Sequence, residues 1–186
     1  MTARDELWDV AVDQYGYVTA FNAHDLGIPV VELGKLASRG KLERVSYGVY
    51  RFPEWPVAAN DHLMEAVLWT RDRRGALSHD TALSVYELSD INPDRVHVTV
   101  APKSRALQRV QVPEPYAVHY QCLRDDQIGW WEMIPTVTVV TAIEQCIDTR
   151  VRPDLILQAI STAGRLGRIT PETSERLEAV LRGVAR

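Results

Sequence analysis

The stretch RGKLERVSYGVYRFP, residues 39–53, decides how the first part of this chain reads. Polar positions alternate with β-branched and aromatic ones, and Tyr47-Gly48 stands in the middle as a turn signal. That pattern predicts a β-hairpin. The same stretch gathers Arg39, Lys41, Arg44 and Arg51, in a chain whose net charge is −4. A fold hypothesis has to account for both the hairpin and the cations.

Upstream of the hairpin the spacing predicts three helices. Residues 3–15 put Leu7, Trp8, Ala11, Val12 and Tyr15 at helical intervals, and Gly16 stops the run. Thr19 is a good N-cap for a second helix carrying Ala20, Ala23 and Leu26, which Gly27 ends. Residues 29–39 form the third, with Pro29 in its first turn. Val30, Leu33 and Ala37 point inward in this reading, and Glu32, Lys35 and Arg39 lie on one outward stripe. Gly34 weakens that helix by about 1 kcal/mol relative to Ala. Three short helices and a hairpin follow the order of a winged helix-turn-helix. This domain is predicted over residues 1–56, with FPEWP as the linker.

A winged helix reads DNA with its third helix in the major groove and its hairpin against the backbone. Residues 1–56 hold six basic and eight acidic side chains, yet residues 33–52 hold five basic ones and a single acid, Glu43. The cations are confined to the elements that geometry would press on phosphates. Lys35, Ser38, Arg39, Lys41, Arg44 and Arg51 are therefore the candidate DNA-binding residues.

Residues 57–186 read as a mixed α/β domain with a helical end, so the fold class is α+β. Helical patterns cover residues 60–73 and 78–88, the latter capped by Ser78. RVHVTVA (95–101), the segment after the prolines of VPEPYAVHYQCL (112–123), and WEMIPTVTVV (131–140) are β-type. TAIEQCID continues as a helix capped by Thr138 or Thr141. Two further helices fit residues 153–166 and the segment opened by Thr170-Pro171.

No reaction chemistry emerges from this sequence. Ser78, His79 and Asp80 are consecutive, and on a helix their side chains point about 100° apart, so they form no relay. They read as a cap and a first turn. His24, His62, His97 and His119 lack metal-ligand spacing, and His97 with His119 alone is a weak ligand set. There is no P-loop and no dinucleotide fingerprint. The expectation is a non-enzyme with no metal and no cofactor. Cys122 and Cys146 sit among apolar residues and read as buried thiols of a reducing cytoplasm. No apolar run approaches the roughly 18 residues of a membrane span, and MTARDELWD is not built like a secretory leader. Two surfaces are candidates for a protein partner. One is Trp131 of the Trp130-Trp131 pair, because aromatics anchor interfaces. The other is the set Arg150, Arg152, Arg165 and Arg168 around the penultimate helix. Lys103, Arg105 and Arg109 make a similar basic loop.

In these segments the chain resembles the AbiEi family of bacterial antitoxins and transcriptional regulators. The family's winged helix runs from a glycine-valine-threonine entry to "rrGrLervrrGvYr"; the counterparts here are GYVTAFNAHDLGI and SRGKLERVSYGVYRF. GALSHDTALSVYELSD resembles its "lSheSALalhgL", RVHVTVA its "vhvtvp", and MIPTVTVVTAIEQCID its "ipvttparTlldl". The resemblance implies that the first domain binds double-stranded operator DNA, often inverted repeats, and represses its own operon. It implies that the second domain counters a cognate nucleotidyltransferase toxin. Ser46 and Tyr47 stand at the wing tip where relatives often carry arginine, and Glu32 lies on the reading helix. Both lower phosphate contact per copy and point to cooperative binding of two copies. The alternative is a stand-alone winged-helix regulator whose second domain senses a small molecule.

Overall fold

The computed structural model describes residues 2–102 and 111–184; Lys103, Arg105 and Arg109 fall outside them. The chain separates into two compact units, Met1–Asp72 and Arg73–Arg186. The boundary anticipated after Pro56 thus falls inside the first unit.

In the first unit, helix α1 spans Ala3–Val12 and opens with a reciprocal cap: the Asp5 amide donates to the Thr2 hydroxyl, and the Thr2 amide to the Asp5 carboxylate. Strand β1, Tyr17–Thr19, follows. Thr19 then caps α2, Ala20–Asp25, in a second reciprocal box with Asn22. Helix α3 spans Val30–Ser38, and the hairpin is β2, Glu43–Ser46, with β3, Val49–Arg51. Both β1 and β2 pair antiparallel with β3, giving the order β1-β3-β2. This is the order and pairing of a winged helix-turn-helix. Helix α4, Asp61–Trp69, completes the unit. It belongs here because Asp61 pairs with Arg51 of β3, and Glu65 accepts from the Tyr17 hydroxyl of β1.

Leu7, Ala11, Val18, Ala23, Leu33, Leu42, Tyr50 and Phe52 form the core of this unit. The Trp8 ring meets Phe52 edge-on at 4.9 Å. Burying a side chain such as Leu33 or Phe52 stabilises by about 1.5–3 kcal/mol. The buried stripe of α3 is Leu33 with Leu36 and Ala37. Val30, anticipated inward, is about half exposed, and its neighbour Val31 more so. At Gly16, φ is +82°, and a Cβ there would stand 2.3 Å from Cγ of Trp55. Only glycine fits.

The second unit contains β4 (Ala76–Leu77), α5 (His79–Val85), β5 (Val96–Val100), β6 (Tyr116–Tyr120), β7 (Ile128–Trp131), β8 (Ile134–Val137), α6 (Val139–Asp148), α7 (Pro153–Arg165) and α8 (Pro171–Val184). Its mixed sheet runs β6-β5-β4-β8-β7. β5 with β6 and β4 with β8 are parallel; β4 with β5 and β7 with β8 are antiparallel. The four helices share one core, with Leu83, Val137, Ile143, Cys146, Ile147, Ile156, Ile160 and Leu177 at its centre. Thr138 is the cap of α6, its hydroxyl accepting from the Thr141 amide.

The β-rich stretch 131–140 is divided: Trp131 ends β7, Ile134–Val137 is β8, and Val139 and Val140 already open α6. β7 and β8 form a hairpin that Glu132 and Met133 turn with φ of 44° and 67°, the two left-handed residues of a tight two-residue loop. Cys146 is buried as anticipated, but Cys122 is exposed, because it follows the end of β6. No helix among the described residues is long and apolar enough to cross a membrane.

Candidate functional site

The cations singled out in the sequence do not share one fate. Along α3, Lys35 is exposed and pairs with Glu32 at 2.5 Å. Ser38 is exposed, but its hydroxyl turns back to donate to the Lys35 carbonyl at 2.9 Å. Arg39 is the C-cap of α3, Gly40 reverses the chain at φ +66°, and Lys41 follows; all three are exposed. Arg44, on β2, is also exposed.

The wing tip is built from this point. A bulge between Arg44 and Ser46 bends β2, and Gly48 takes the left-handed turn position at φ +75°. Tyr47 projects from the tip, 72% exposed. The Arg44 guanidinium lies 5.7 Å from the Tyr47 ring centroid, and the Arg71 guanidinium 4.9 Å. Cation–π contacts of this kind contribute about 0.5–1 kcal/mol at exposed sites. Tyr47 therefore gathers two cations at the place where a wing-tip arginine was missed. Arg71 lies just beyond α4, outside the stretch read as DNA-binding. No local pattern links it to the wing, because the contact depends on how α4 packs.

Arg51 is the exception. It donates to Asp61 at 2.9 Å, with both side chains only 12% exposed, and to the Pro56 carbonyl at 3.1 Å. Its guanidinium also lies 5.6 Å from the Tyr17 ring. Its charge is paired inside the unit, unlike those of the exposed Arg39, Lys41 and Arg44.

The proposed partner surface of the second unit separates as well. Trp130 is the exposed member of its pair at 70%, and Trp131, the anticipated anchor, is half-buried, because successive residues of β7 face opposite sides of the sheet. Arg150 and Arg152 stand before α7, Arg165 and Arg168 at its far end. A helix of 13 residues puts about 20 Å between the two pairs. Arg152 is held by Asp154, and Arg168 donates to the Tyr86 carbonyl and lies over the Tyr86 ring. These four do not form one patch.

The structure does bring together a constellation that sequence spacing hid. His97 of β5 and His119 of β6 stand on paired strands, with His97 Nδ1 3.0 Å from His119 Nε2. His79, from the first position of α5, stacks on His119 with centroids 3.6 Å apart and planes at 19°. One ligand nitrogen from each of the three lies within 4.8 Å of the others. His79 is buried; the other two are half-buried. Burial, reinforced by the other two rings, pushes His79 down to about 3. Burial and the neighbouring His97 bring His119 to about 4, and burial lowers His97 as well, against the pull of Asp80 and Asp94. All three are neutral imidazoles at neutral pH.

The surroundings hold His79 in place. Its φ is +50°, a left-handed conformation that costs a non-glycine residue on the order of 1 kcal/mol or more. Its amide donates to Gln145 Oε1, and its Nδ1 lies 2.9 Å from the Ser78 hydroxyl. Ser78 was read as an ordinary cap, but no side-chain cap bond forms, because its hydroxyl is directed to this ring. The Ser78 amide donates to the His97 carbonyl, and the His97 amide to the Thr81 hydroxyl, lashing α5 to β5. Gln145 extends the network to Thr99 and Gln121. His79 was missed because a Ser-His-Asp run at a helix start signals capping, and its partners lie 18 and 40 residues away.

No protein-family model matches this chain, and no curated protein does. Among solved structures it is similar to the crystal structure of the RV2827C protein from Mycobacterium tuberculosis, with a TM-score of 0.54 and 14% identity. That match covers 96% of this chain and 72% of the other. At that identity the likeness is one of fold alone: an α+β chain of two sheets and flanking helices.

Proposed function

We propose that this protein is a DNA-binding antitoxin that represses its own operon and counters a nucleotidyltransferase-like toxin. The observation that carries the DNA-binding half is the run of exposed cations from the end of α3 into the wing. These are Lys35, Arg39, Lys41 and Arg44, with the half-buried Arg71 lying over the Tyr47 ring. Ser38 stays in the set as a polar group beside them. Phosphate attraction releases counterions, so affinity for a duplex of the gene's own upstream region should fall as salt rises. The slope is about 0.9 per neutralised phosphate on a log–log plot. Lys35 on α3 and Arg39 at its C-cap are the base-reading candidates. Lys41 and Arg44 grip the backbone, so the double variant K41A/R44A should weaken binding to all sequences alike and flatten the salt slope by about 2. Fluorescence anisotropy on labelled duplexes measures both. Wild-type affinity in that variant would end this reading.

The antitoxin half rests on the resemblance in the quoted segments. Its test is co-expression with the adjacent reading frame: growth rescued by the intact chain supports it, and arrested growth despite soluble expression of the chain counts against it.

A further inference from the structure

We propose that His79, His97 and His119 form a zinc-binding site in the second unit, with its fourth position open to water. The site has no bearing on the phosphate-facing cations and goes beyond the reading above. Three observations converge. Three imidazole nitrogens from three different elements lie within 4.8 Å of one another. His79 reaches them through a left-handed backbone, φ +50°, which an ordinary helix start does not need. And the Ser78 hydroxyl sits on His79 Nδ1 at 2.9 Å, which leaves Nε2 as the nitrogen for a ligand. A hydrogen bond on the far nitrogen of a ligating ring is the usual way its tautomer and direction are fixed.

The distances suit an ion of this size. Nitrogens around tetrahedral zinc at 2.0–2.1 Å stand about 3.4 Å apart. The His97–His119 pair, now sharing a hydrogen bond at 3.0 Å, needs a small spread, and the third nitrogen a small approach. His79 lies flat on His119, so binding also requires one ring to turn about its χ2 out of the stack. Three neutral imidazoles suit zinc and its first-row neighbours. Magnesium and calcium prefer oxygen ligands and should not compete. His97 and His119 are half-buried, which leaves solvent an approach to the open position.

The test uses the full chain without a polyhistidine tag, stripped with a chelator and titrated with zinc in a calorimeter. One ion per chain is expected, with no heat from magnesium. Cobalt in the same site should give the visible absorption of a low-coordinate complex. H97Q and H119Q should each weaken zinc binding by at least tenfold, whereas H24Q and H62Q should leave it unchanged. S78A, which removes the hydroxyl on the far nitrogen of His79, should weaken it by about 10–100-fold, and S78T, which keeps a hydroxyl there, should restore it. No saturable binding, or binding lost in H24Q or H62Q and kept in H97Q, overturns the site. Should the glutamine variants fail to fold, imidazole nitrogen resonances of the wild-type chain decide. Zinc must shift those of His79, His97 and His119, and unchanged signals refute the proposal.

Discussion

Arg44 and Arg51 lie on the two arms of one hairpin and carry the same charge, yet one is exposed and the other is part-buried in an ion pair. Arg44 is exposed beside Tyr47, so R44A is expected to cost DNA affinity and leave folding within about 0.5 kcal/mol. Arg51 faces Asp61, both side chains 12% exposed. R51A strands a carboxylate and is expected to destabilise the first unit by about 2–3 kcal/mol in urea unfolding. Composition revealed the cluster of cations, but not this division, because the counterion of Arg51 comes ten residues later. The two thiols divide in a similar way. Burial, together with the facing Asp80 carboxylate, raises the Cys146 thiol far above its ordinary value, whereas Cys122 is exposed. A thiol reagent should modify one cysteine in the native chain and two after denaturation. The thiolate is the reacting form, so modification of both in the native state would contradict the burial of Cys146.

Among the elements, β1 shows how short strands depend on partners. Its three residues are all buried and make no alternating pattern of their own, so sequence reading absorbed them into the approach to α2. The same holds for β4, only two residues long. The helices were legible because their signals are local: Thr19 and Thr138 accept amides at helix starts, and the prolines of α7 and α8 stand at the first position. β1 also carries a pH dependence. Burial, with Glu65 and Asp61 close by, pushes Tyr17 up to about 12 from 10.0. Between those values the unfolded chain loses the phenolic proton and the folded one keeps it. Stability is therefore full below pH 10 and falls as pH rises toward 12. Y17F should remove that part of the slope, seen by comparing urea midpoints of the two proteins across the window. The turn before β1 is a further point of control. G16A must adopt a left-handed φ and push into Trp55, so a loss of at least ~2 kcal/mol is expected in the same assay.

On the scale of the whole molecule, the cluster around Leu33 and Phe52 and the cluster around Ile143 and Leu177 share no residue among the described ones. Calorimetric unfolding should resolve two transitions, and zinc at 100 times its dissociation constant should stabilise one of them by about 2.7 kcal/mol. A shift of both, or of the transition that R51A lowers, would place the ion elsewhere. The α+β class and the winged-helix order could be read from the sequence because hairpin, caps and punctuation are short-range. The histidine cluster could not, since it exists only once β5, β6 and α5 are assembled. The clamp between Arg51 and Asp61 has a practical consequence for anyone dissecting this protein. A fragment cut after Pro56, at the apparent linker, would keep every helix and strand of the winged-helix order but discard the counterion that anchors the wing. The smallest autonomous piece of the N-terminal region therefore ends at Asp72, with α4 retained.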